Sequence, residues 1–203
     1  MRRIAAFTLT ELLIVITIIL IMASLMGPTL NSALRGTGMT QGADKVIGVL
    51  SLAHQTAVTK NQTVEVRFYA YKDPETPGDT GQCHALQAFS IDDALNATPI
   101  MKAQALPSTV ILTTNSTLST LFSLTPTTSP SVKIPRAGTS YSYVSFRFNR
   151  SGATDLVGNA TQAQWCVTIM NALDYNGSTL PKNYTTVAID PYNGSIKTYR
   201  PTL

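Results

Sequence analysis

The chain opens with "MRRIAAFTLTELLIVITIIL" (residues 1–20), and the reading of this stretch decides the architecture of everything after it. Arg2 and Arg3 precede a long apolar run, yet Glu11 stands just inside that run. A carboxylate facing hydrocarbon costs roughly 2.5–3.5 kcal/mol at the middle of a bilayer. Either the run is no membrane segment, or Glu11 has a role in it. Only Thr17 and Ser24 interrupt the apolar residues from Leu12 to Met26, and Phe7 to Gly27 is a stretch of 21 residues. At about 1.5 Å per helical residue this is long enough to span a bilayer. No Lys or Arg falls between Arg3 and Arg35. Arg2 and Arg3 therefore set the amino end on the cytoplasmic side and send the remainder across the membrane. A cleaved secretory signal would end at a small-x-small site. The best candidate, Ala23-Ser24-Leu25, lacks the second small residue, and such a signal has no use for Glu11.

The stretch "AFTLTELLIVITIIL" resembles the class III signal of type IV pilins and pseudopilins. That pattern is a short basic leader, a small residue, then Phe, Thr, Leu, any residue, Glu and about twenty apolar residues. Phe7, Thr8, Leu9 and Glu11 match it, and Ala6 stands where Gly is usual. Pro28 is a second agreement; it removes one helical N–H and is expected to kink the helix. The resemblance implies that a prepilin peptidase cuts between Ala6 and Phe7 and that Phe7 is then N-methylated. It also implies a stem helix that stays in the inner membrane until it packs into a filament. A carboxylate buried in such a bundle is tolerable when it meets a cation. The cation on offer is the amine of Phe7, from the same or a neighbouring subunit, which makes Phe7 and Glu11 the expected assembly residues.

Composition narrows the classes. The chain has 203 residues, enough for one modest domain plus an appendage, and only 13% of them are charged. The polar surface is therefore largely hydroxyl and amide, as is common in exported β-rich domains. The formal charge is +4; without Arg2 and Arg3, thirteen basic residues face eleven acidic ones, or +2. The basic residues form no dense patch of the kind that tracks phosphates, so no specific nucleic-acid partner is expected. Cys83 and Cys166 read either as a disulfide closing a long loop in an exported domain or as two unrelated small core residues.

Beyond the membrane run, Gly36 and Gly38 predict a helix end or flexible elbow. In "ADKVIGVLSLAHQTAVTKNQ" (43–62), Val46, Val49, Leu50, Ala53 and Ala57 fall at helical spacing, and His54 reads as a half-buried packing residue. "TVEVRFYAY" (63–71) alternates strictly and predicts a strand with one buried face. Residues 73–82 form a turn-rich loop, and further strands are expected at 85–91, 98–105, 109–114 and 117–124. Residues 125–141, with three prolines, read as a long connection. "YVSFRFNRSGATDLV" and "AQWCVTIMNA" supply two more strands, with a turn at 149–152. "TTVAIDPYNGSIKTYRP" is a hairpin turning at Pro191 and Asn193-Gly194. This order predicts an α+β protein: an N-terminal transmembrane or stem helix, a short helix, then a largely antiparallel β-sheet domain. The divisions are a leader at 1–6, the stem at 7–35 and a periplasmic globular domain at 36–203.

The same order resembles the H-type minor pseudopilins of type II secretion, with "LAHQTAVTKNQTVEVRFY", "VSFRFNRSGATDL" and "DPYNGSIKTYRP" at the corresponding places. A narrower likeness, in the YRP ending, is to the Verru_Chthon cassette protein D group. The resemblance implies a minor pseudopilin in a short periplasmic filament. Its partners would be the inner membrane, the prepilin peptidase, other pilin-like subunits and the secretion assembly platform. A type IV pilus subunit used in adhesion or DNA uptake is the alternative within the class. A membrane-anchored periplasmic enzyme or binding module is the alternative outside it.

Nothing in the sequence assembles a catalytic constellation. HExxH, GxSxG, P-loop and GxGxxG patterns are absent, and no cofactor or metal site is expected. His84 beside Cys83 is a single adjacent pair, Asp92-Asp93 reads as a solvated loop, and Asp190–Gly194 lacks the spaced ligands of a Ca²⁺ loop. The Asn-x-Thr sequons at Asn61 and Asn115 read as chance in an Asn/Thr-rich chain.

Overall fold

The computed structural model describes residues 8–76, 78–128, 132–158 and 164–201, with side chains outside 25–35, 157 and 158. Residues 1–37 and 38–203 form two compact units. One helix, α1, runs from Leu9 to Thr59. The expected break at Gly36 and Gly38, and with it a second, short helix, is therefore corrected: the backbone stays helical through both. The physical reason lies on the buried side of the helix. A Cβ at Gly38 would sit 2.8 Å from Oγ1 of Thr109, and one at Gly42 would sit 2.8 Å from Cγ1 of Val110. At Gly38 and Gly42 the helix comes too close to Thr109 and Val110 to admit a Cβ, and the packing gained there offsets their poor helix propensity.

The sheet is antiparallel throughout. Its strands are β1 (Thr63–Ala70), β2 (Cys83–Ile91), β3 (Ala97–Pro99), β4 (Gln104–Ala105), β5 (Val110–Leu112), β6 (Ser142–Phe148), β7 (Trp165–Asn171), β8 (Tyr184–Ile189) and β9 (Ile196–Tyr199). The order across it is β6-β1-β2-β5-β7-β8-β9, with β3 and β4 also paired to β2. Register places the large apolar residues together. Val66 lies opposite Ala88 on one side and Phe146 on the other, and Phe68 lies opposite Leu86 and Val144. This face packs on Val46, Val49, Leu50, Ala53 and Ala57 of α1, the stripe read from helical spacing.

Three expectations differ. The 98–105 stretch is two short strands, β3 and β4, and 117–124 holds a 3₁₀ turn, Thr120–Ser123, in place of a strand. There the backbone bonds of β7 go to side chains: the N–H groups of Thr168 and Cys166 donate to the hydroxyls of Ser119 and Thr120, each within 2.9 Å. The third difference is β1, which is buried on both faces. Residues 132–143 fold over its outer side, so that Tyr69, Tyr71, Ala85 and Ile134 form a second apolar cluster. Beside it the Arg67 guanidinium lies between the rings of Phe89 (4.2 Å) and Tyr143 (4.9 Å) and pairs with Glu65. Strict alternation marked the two faces correctly; it could not reveal that a distant loop returns to cover the polar one.

Candidate functional site

Within the first unit, the start of α1 is built by a reciprocal pair. The Thr8 N–H donates to Oε2 of Glu11 at 2.9 Å, and the Thr8 hydroxyl donates to the same oxygen at 2.7 Å. In return the Glu11 N–H points at Oγ1 of Thr8, 3.3 Å away. This is a capping box, which satisfies backbone donors that a helix start leaves without partners. Its signal, Thr8-x-x-Glu11, is present in the sequence but is hidden by the more conspicuous conflict between a carboxylate and an apolar run. Glu11 thus has a local partner before any neighbouring subunit is considered.

From that cap the helix presents apolar side chains on all sides. Leu9 and every Leu, Ile, Val and Met from Leu12 to Met22 are between 46% and 80% exposed. Thr17 and Ser24 turn their hydroxyls back onto backbone carbonyls of the preceding turn, so the polar atoms in the run are internally satisfied. Among the described residues no helix is long and apolar enough to cross a membrane. Described side chains in this run end at Ser24, whereas the segment read from sequence runs from Phe7 to Gly27. Ala6 and Phe7, the expected cleavage and methylation residues, lie outside the described residues. The kink expected at Pro28 concerns residues 25–35, whose side chains lie outside them too.

The second unit holds the other candidates. Cys83 and Cys166 are both free thiols, which corrects the disulfide reading. Cys83 lies opposite Leu112, and Leu112 lies opposite Ile169. Two strand spacings of about 4.8 Å already exceed the roughly 7 Å limit for bridged Cα atoms. Cys166 lies three residues from Ile169, on the other face of β7. Burial pushes the Cys83 thiol well above its ordinary range. His54 meets Phe148 edge-on at 5.4 Å and sits against Gly152 and Gly194, as a packing residue should. Asp92 caps its own hairpin turn through Asn96, Asp93 pairs with Arg150 at 2.8 Å, and Asp190 accepts the Tyr192 N–H at 2.9 Å. The Asp92 and Asp190 bonds are turn chemistry, and Asp93–Arg150 is an exposed ion pair. Among the described residues no group of three or more His, Cys, Asp or Glu is placed to hold a metal ion.

The features that stand apart from ordinary folding requirements are thus at the amino end: a capped helix start carrying one carboxylate, then an exposed apolar run. A family signature described as the prokaryotic N-terminal methylation motif matches residues 1–27. The chain carries a prepilin-type methylation motif. That motif contains Ala6, Phe7, the Thr8–Glu11 capping box and the exposed run. Among solved structures, the chain is similar to the minor pseudopilin EpsH from the type 2 secretion system of Vibrio cholerae. The identity is 12% over 80% of this chain and 97% of that one, with a TM-score of 0.45. It is similar at the same identity and share of this chain to the type IV minor pilin FimU of Pseudomonas aeruginosa, covering 92% of that chain with a TM-score of 0.43. Comparison with curated proteins gives no match.

Proposed function

We propose that this protein is a structural subunit of a pilin-type filament, and more specifically a minor pseudopilin of a type II secretion-type periplasmic filament. The observation that carries the proposal is a methylation motif whose own apolar run is exposed on every side. Such a surface demands a cover, and a membrane and a bundle of like helices are the two environments that supply one. In this reading the chain is inserted in the inner membrane with its amino end cytoplasmic and its β-domain periplasmic. Prepilin peptidase cuts between Ala6 and Phe7, the Phe7 amine is methylated, and the assembly platform draws the helix into the filament. Glu11 keeps its capping bonds while the protein waits in the membrane. On assembly the positive amine of Phe7, its own or a neighbour's, neutralises the charge and fixes the axial register. The protein then acts by mechanical displacement of cargo and makes or breaks no bonds itself. The more specific pseudopilin reading follows from the resemblance of the globular stretches given above.

Glu11→Ala tests the proposal. The variant is expected to insert and be processed normally yet fail to cross-link into filaments with other pilin-like subunits. Normal incorporation would overturn the assembly role. Deleting the gene separates the two versions of the class: loss of secretion supports the pseudopilus, and loss of surface pili supports the pilus.

A further inference from the structure

The loop joining β1 to β2 has its described residues, 71–76 and 78–82, folded around a buried imidazole. His84 is 0% exposed, and its Nε2 lies 2.9 Å from Oδ2 of Asp79. Its other nitrogen, Nδ1, has no hydrogen-bond partner among the described residues and faces Oδ2 of Asp73 at 3.9 Å. Asp73 is held from elsewhere, by Arg136 at 2.9 Å, the Thr76 hydroxyl at 3.1 Å and the Glu75 N–H at 3.1 Å. Asp79 accepts the N–H groups of Asp73, Gly81 and Gln82. Arg136 continues to Glu75 (3.1 Å) and to the Leu106 carbonyl (2.8 Å), and the Tyr71 ring centre is 5.2 Å from that of His84. The titratable and charged groups facing His84 are therefore Asp79, Asp73, Arg136 and Tyr71, with Glu75 beyond the guanidinium. Both ends of the loop and the 134–138 turn meet at one ring.

A neutral ring with its proton on Nε2 donates to Asp79 and leaves Nδ1 as a lone pair. A protonated ring would offer an N–H to each carboxylate, but as a cation sealed from water and near Arg136. We propose that this cluster is a proton-operated latch, in which the loop segments carrying Asp73 and Asp79 are closed over neutral His84 and loosen when the ring takes up a proton. Burial is the largest influence on the ring and holds its pKa below the ordinary 6.5, against the opposing pull of Asp79. The open loop, with His84 in water, binds the proton more readily than the closed one. Closure is therefore fully favoured above pH 6.5 and is lost as pH falls through the lower, closed-state value. Over that window the open fraction rises up to about tenfold per pH unit, the slope of one linked proton.

Hydrogen exchange of the full chain in detergent micelles, at about pH 7.5 and about pH 5.5 and normalised to intrinsic rates, tests the latch. The described residues of this loop and His84 are expected to lose protection, by up to about tenfold, at the lower pH while β7 and β8 keep theirs. His84→Gln retains a donor toward Asp79 but cannot titrate, and its loop should be equally protected at both. Unchanged loop protection in the natural protein, or an equal response in the variant, overturns the proposal. Where the variant loses β7 and β8 protection as well, NMR titration of His84 in the natural chain decides. A midpoint below 6.5 supports the latch, and one at or above it overturns it.

Discussion

At the scale of single residues, two turns and one helical side chain fix how the second unit closes. Gly194 has φ +67°, and a Cβ there would fall 2.2 Å from the Gly152 carbonyl oxygen and 2.7 Å from Cδ2 of His54. Gly194→Ala therefore combines left-handed strain with overpacking, and is expected to cost about 2–5 kcal/mol in chemical denaturation. Gly78 is the control: its φ is +72°, but a Cβ would meet nothing within 4 Å. Gly78→Ala should lose only the backbone preference, about 1–2 kcal/mol. Equal losses would remove the packing argument. At the helix start, Thr8→Val keeps shape but removes the hydroxyl that accepts from Glu11 and donates to it. Faster amide exchange over residues 9–12 is expected, with Thr8→Ser unchanged; no change in Thr8→Val would mean that the cap contributes nothing.

At the scale of elements, the strand and helix stripes were legible because the residues facing the core repeat at the period of their own element. Val46, Val49, Leu50, Ala53 and Ala57 repeat with the helix, and Val144, Phe146 and Phe148 with the strand; both sets are core. What could not be read was set by residues distant in sequence. Gly36 and Gly38 read as helix breakers; the close approach of Gly38, and of Gly42 one turn on, to Thr109 and Val110 supplies packing that holds the helix there and that the sequence does not show. Gly42→Val should drive the helix off β5 at a cost of about 1–3 kcal/mol, measured by urea denaturation. Strand order likewise decides the cysteines, since β5 lies between β2 and β7. Both thiols should therefore alkylate in denaturant without reductant, and stability should not change when reductant is added. A pair that resists alkylation until reduced would contradict the observed register.

At the scale of the whole molecule, the sequence of its first 27 residues carries more functional information than all that follows. That stretch was readable because its constraints are local: a basic leader, a small residue before Phe7, a carboxylate at Glu11 and an apolar run. The capping box is equally local, but Thr8-x-x-Glu11 is masked in the sequence by the apolar run that follows it. The β-domain gave up its class through strand order and turn residues, but its buried polar cluster around His84 draws on three segments and has no sequence signature. The central claim is that this chain is processed and assembled as a prepilin. Mass spectrometry of the amino terminus of the mature protein, isolated from its own cell envelope, is the decisive measurement. The expected chain begins at Phe7 with a methylated α-amine. A chain that keeps Met1, or one that begins beyond Gly27, would contradict that claim.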